Sequence, residues 1–136
     1  MKKIISMALV LIMLVCSVTT LTACGIPSDF NDAKANLKDN DYKVTTSTKS
    51  DDIELMLALF GIEDAEVEAI IDADKDEDAI MLVYCEDTDT AEAVEEKLAE
   101  FLEEYAEYFD DYEGLEVGRD GKIVYMATEQ ALKDVK

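Results

Sequence analysis

The seven residues Ala79-Ile80-Met81-Leu82-Val83-Tyr84-Cys85 carry no charge and no turn former. A short, continuously apolar run of this kind reads as a central β-strand buried on both faces. It requires partner strands, and the rest of the chain supplies them. Glu66 to Asp72 alternates, with Val67, Ala69 and Ile71 on one side. The acidic stretch between these runs is the natural hairpin turn. Tyr42 to Thr48 is rich in β-branched residues and predicts another strand. Leu115 to Arg119 and Lys122 to Ala127 flank Asp120-Gly121, a strong two-residue hairpin signal.

Between the strands the apolar spacing changes to three and four. Ser28 is placed to cap a first helix carrying Phe30, Ala33 and Leu37, ended by Asn40 and Asp41. Ser50 is placed to cap a second, with Ile53, Met56, Leu57 and Phe60 on one face. Gly61 followed by Ile62 fits its C-terminal cap. Asp89 and Glu92 form a capping-box pattern for a long third helix. Its stripe runs Val94, Leu98, Phe101, Leu102, Tyr105, Phe109, Tyr112, with Gly114 as terminator and Tyr108 off the stripe. Thr128 opens a short final helix with Leu132 and Val135.

The order predicts one α+β domain over 29–136. Its middle, β-α-β-β-α-β, matches the ferredoxin-like unit, with an extra N-terminal helix, a C-terminal hairpin and a short C-terminal helix. The sheet is expected to be largely antiparallel, with helices mainly on one face. Many unrelated functions use such a fold, so function has to come from particular residues.

Charge narrows the choice of partner. The chain has 33 acidic and 12 basic residues and a formal net charge of −21. The acids concentrate in the middle: from Asp51 to Gly118 there are 26, against only Lys75 and Lys97. This excludes nucleic acid, which needs a basic footprint. It also resists adhesion to an anionic leaflet. The flanking segments are close to neutral, which suggests that they face a membrane while the acidic middle faces outward. Alternatively, the acids serve only to keep the protein solvated.

A membrane enters through the N-terminus. Lys2 and Lys3 precede an uncharged apolar stretch from Ile4 to Val18, after which small residues lead into Leu21-Thr22-Ala23-Cys24. This order resembles the signal of bacterial prolipoproteins. The resemblance implies removal of residues 1–23, lipid attachment at Cys24, a short tether over 24–28 and a location on the outer face of the cell membrane. Two other readings fit the same residues: an ordinary secretory signal cut near Ala23, or an uncleaved membrane span. A second resemblance, through Tyr42-Lys43-Val44 and Val124-Tyr125-Met126-Ala127-Thr128-Glu129-Gln130-Ala131, is to small Gram-positive lipoproteins of unassigned function. It implies no functional residue.

Residue types then exclude most catalytic chemistry. There is no histidine, so Ser-His-Asp and Cys-His mechanisms and His-ligated zinc are out. The prolipoprotein resemblance implies that, of the three cysteines, Cys16 leaves with the signal and Cys24 carries lipid. Cys85 remains alone, expected as a buried thiol, with no disulfide and no Cys-x-x-Cys pair. Gly118-Arg119-Asp120-Gly121-Lys122 has neither phosphate-loop nor dinucleotide spacing. A paired-carboxylate hydrolase is allowed by residue type, but no pair stands out from so many acids.

The sharpest local pattern is Asp72, Asp74, Asp76 and Asp78, with oxygens at alternate positions as at the start of an EF-hand calcium loop. The match stops there: Glu77 stands where glycine is required, Val83 where the bidentate glutamate is required. The expectation is therefore a noncatalytic, membrane-tethered surface lipoprotein without a cofactor. Its acidic domain is expected to bind a cationic protein, peptide or envelope component. The alternative is a calcium-responsive lipoprotein acting through the Asp72–Asp78 hairpin.

Overall fold

The computed structural model describes residues 25–112 and 114–136. Helix α1 (Phe30–Asp39) leads into strand β1 (Lys43–Ser47), helix α2 (Ser50–Leu59), strands β2 (Val67–Lys75) and β3 (Asp78–Cys85), and helix α3 (Thr88–Glu104). A 3-10 turn (Ala106–Phe109), strands β4 (Glu116–Asp120) and β5 (Ile123–Ala127) and helix α4 (Glu129–Val135) complete it. The fold is α+β, with the expected N-terminal helix, C-terminal hairpin and short C-terminal helix.

The five strands form one sheet in the order β1-β2-β3-β5-β4, and every neighbouring pair is antiparallel. The βαββαβ element order is present, but the adjacency is not that of a split ferredoxin-like unit, in which a strand separates the first two. Here β1 lies directly beside β2. The reason is the connection. The ten residues of α2 span about 15 Å, and residues 60–66 can reach back by up to roughly 23 Å. The chain therefore re-enters the sheet at the end it left and pairs antiparallel with β1.

β3 is buried on both faces, as its composition requires: Leu82 and Val83 are both fully buried, pointing opposite ways. Leu82, with Ile71, Ile80, Tyr84, Ile123 and Ala127, packs under Ala33 and Leu37 of α1 and Ala131 and Val135 of α4. Val83, with Ile70, Met81, Cys85, Val124 and Met126, packs under Ile53 and Leu57 of α2 and Ala91, Val94 and Leu98 of α3. Helices cover both faces rather than mainly one. A strand that is apolar on both sides must be shielded on both.

Several ends differ from their sequence signals by one or two residues. Asp29, not Ser28, caps α1, accepting the Asn31 N–H at 2.8 Å. Lys49 occupies the cap position of α2 with no side-chain hydrogen bond, and Ser50 is its first helical residue. Asp87 rather than Asp89 caps α3: its carboxylate accepts the Thr90 N–H at 2.7 Å, which holds it below the usual carboxylate range. Thr128 caps α4 as expected. The hairpin turn is tighter than the acidic stretch suggests. β2 continues to Lys75 and only Asp76 and Glu77 turn, with Asp76 in the left-handed region at φ 53°. α3 stops at Glu104, and the aromatic stripe continues through the 3-10 turn.

Candidate functional site

The two ends of the sheet differ, and the N-terminal arm marks one of them. Ile26 is buried, at 7% exposure, and its N–H donates to Asp120 Oδ2 at 2.9 Å. The Tyr84 hydroxyl donates to the Pro27 carbonyl at 2.9 Å. The segment expected as a tether is thus packed on the body as far as Ile26. It docks at the sheet end formed by the start of β2, the end of β3 and the β4–β5 turn. The Glu66–Glu86 carboxyl pair lies at this same end. Their mutual hydrogen bond, then the Glu66 charge, raises Glu86 above the usual carboxylate range. Acids are therefore present at both ends of the sheet, which qualifies the expectation of a near-neutral membrane side. The proposed lipid acceptor Cys24 and the segment before it lie outside the described residues.

The opposite end carries the Asp72–Asp78 hairpin. Strand alternation separates the four aspartates. Asp72 and Asp74 share the face of Ile70, opposite Thr45 and Lys43 of β1. Asp72 reaches solvent but is set against the sheet, and partial desolvation, then the Asp74 charge, raises its carboxyl. Asp76 sits at the turn. Asp78 lies on the other face and accepts the Thr128 hydroxyl at 2.9 Å, inside the cap of α4. These four residues do not converge on one point. Among the described residues, no group of three or more Asp, Glu, Cys or His side chains is arranged to hold a metal ion.

What the fold does bring together was not legible from spacing. α3 starts at the arm end and runs the length of the sheet. The chain beyond its aromatic turn therefore meets the tip of the β2–β3 hairpin. Asp76 and Glu77 face Asp110, Asp111 and Tyr112 across an open cleft of about 590 Å³. Four carboxylates from two distant segments line it. The nearest signal in the sequence is the acidic character of both segments; nothing in it says that they touch.

Beside the cleft lies a second feature. Phe60 of the α2 C-terminus stacks edge-on against Phe101 of α3, with centroids 4.7 Å apart. Phe101 continues to Tyr105 at 4.7 Å, and Tyr105 to Tyr108 at 6.0 Å. Tyr108, which the sequence places off the helical stripe, stands exposed, at 74%.

The α3 acids are otherwise sparsely paired. Arg119 of β4 reaches Glu95 at 3.0 Å and Glu92 at 3.4 Å, and Lys97 reaches Glu100 at 3.4 Å. Cys85 is buried, and burial, then the charges of Asp87 and Glu68, push its thiol up to about 11. A thiol held neutral in this way is a poor nucleophile. Among the described residues no helix is long and apolar enough to cross a membrane.

Compared with protein-family models, with curated proteins and with solved structures, the chain gives no match.

Proposed function

We propose that the chain is a noncatalytic lipoprotein, tethered through Cys24 to the outer face of the cell membrane. Its acidic domain acts as a binding or accessory module for a cationic protein or envelope component. The observation that carries this reading is the four-carboxylate cleft of Asp76, Glu77, Asp110 and Asp111 at the sheet end opposite the docked Ile26. Only Gly25 separates Cys24 from Ile26. A lipid on Cys24 would hold the Asp120–Lys122 turn against the membrane. The cleft would then stand ~25 Å further out along β3. Two or more acyl chains make such an anchor stable.

The test has two arms. Intact-mass analysis of membrane-extracted protein should give a chain beginning at a lipid-modified Cys24; an unmodified Cys24 or a different start contradicts the anchor. Retention of a cationic envelope protein by the immobilised chain should fall as salt rises from 0.1 to 1 M, where the screening length drops from about 10 to about 3 Å. It should also fall in Asp76→Asn/Asp110→Asn/Asp111→Asn. Retention indifferent to both contradicts the binding role.

A further inference from the structure

α2 buries Ile53 and Leu57 but turns Leu55 and Leu59 outward, at 69% and 72% exposure. These two lie one helical turn apart on the same face. Leu59 lines a groove of about 390 Å³ together with Phe60 of the α2 C-terminus and Phe101 and Tyr105 of the α3 side. Tyr108 extends the strip toward the acidic cleft, which begins two residues later at Asp110. Glu100 and Glu104 form the polar margin, and the one base in the lining, Lys97, is already paired with Glu100. The groove itself is lined more by polar than by apolar surface, and its apolar character comes from the exposed Leu55, Leu59, Tyr105 and Tyr108. A group of exposed apolar side chains with a charged rim marks an interaction surface, whereas single exposed leucines do not.

We infer that this groove takes the apolar face of a cationic amphipathic helix. The inference rests on the proposed cationic partner and names its form. Leu55, Leu59, Tyr105 and Tyr108 would receive apolar residues recurring at i, i+3, i+4 and i+7. Glu100, Glu104 and the Asp110–Asp111 pair would receive lysines or arginines from the flanks of that helix. Charge decides against the other occupants. Two copies of a chain with net charge −21 would bring like rims together. An anionic leaflet would meet the same acids.

The chain contains no tryptophan, so a peptide with a single Trp on its apolar face reports docking by its own fluorescence. The probe is a leucine–lysine amphipathic helix of ~18 residues. It is titrated into the full chain held in phosphatidylcholine vesicles, with protein-free vesicles as blank. Saturable binding with a blue shift is expected. A scrambled peptide of the same composition should bind at least tenfold more weakly. Leu59→Ser/Tyr108→Ser should weaken the helical peptide at least tenfold without changing the circular dichroism spectrum, since both side chains are exposed.

Equal binding of the scrambled peptide, or unchanged binding by the Leu59/Tyr108 variant, overturns the groove. So does self-association of the chain that this variant abolishes, which would make the occupant a second copy. If Asp76→Asn/Asp110→Asn/Asp111→Asn loses binding while the Leu59/Tyr108 variant does not, the groove inference falls and the cationic partner stands. Failure of both peptides to bind the parent overturns both.

Discussion

Asp120 accepts the backbone N–H of Ile26 at 2.9 Å, joining the first described residues to the last hairpin across 94 positions. This contact, with Tyr84 on the Pro27 carbonyl, turns a would-be linker into part of the body. Asp120→Ala is predicted to cost ~1 kcal/mol, the usual net worth of a partly exposed hydrogen bond. It should also release the arm. Urea unfolding measures the first, and amide exchange at Ile26 the second. An Ile26 amide protected equally in both proteins would contradict the docking.

Alkaline pH should destabilise the domain through Cys85. Its thiol is pushed up to about 11 in the fold, against 9.0 as the ordinary value. Between these values the folded state holds the proton and the unfolded state has released it. Stability is therefore full below pH 9 and falls as pH rises toward 11. The loss is on the order of 2–3 kcal/mol. Burial also raises Tyr84, which adds a loss of the same sign above pH 10. Cys85→Ala should flatten the drop between pH 9 and 10 in thermal melts. The same slope in the variant would assign it to other groups.

The cleft acids should repel one another when bare. Asp111→Asn is predicted to stabilise by roughly 0.5 kcal/mol in low salt, with the gain vanishing at 0.5 M as screening removes the repulsion. Calcium and magnesium at equal ionic strength should raise the melting temperature equally, because Asp72, Asp74, Asp76 and Asp78 do not converge. A calcium-selective rise abolished by Asp74→Ala would restore the hairpin as a calcium site.

Gly118 should resist substitution. The Tyr125 ring of the neighbouring strand lies across it where a Cβ would stand. Gly118→Ala is predicted to cost ~1–3 kcal/mol from overpacking. In a Tyr125→Ala background the same Gly118→Ala change should have almost no further effect. Additive losses would place the strain elsewhere.

Where local chemistry dictates structure, the sequence was sufficient. Ala79–Cys85 forms the central strand and Thr128 the cap of α4, and the last hairpin forms with its two-residue turn one place further on, at Gly121-Lys122 rather than Asp120-Gly121. Caps misread at Ser28 and Asp89 went to Asp29 and Asp87, because adjacent polar residues offer the same hydrogen bond and only backbone geometry chooses between them. Strand order was not legible, since it depends on how far residues 60–66 carry the chain back along the sheet. The cleft was hidden for a related reason. Asp76–Glu77 and Asp110–Asp111 meet only because α3 runs the full length of the sheet. The pattern at Asp72–Asp78 looked like one ligand set in one dimension and is divided by strand alternation in three.

The most direct test of the acidic module is an NMR titration of the full chain with a lysine-rich peptide at 0.15 M salt. The account predicts saturable amide shifts concentrated at Asp76, Glu77, Asp110 and Asp111, lost when three of these are changed to Asn or Gln. Shifts scattered evenly over the acidic residues, or no shifts at that salt, would contradict it.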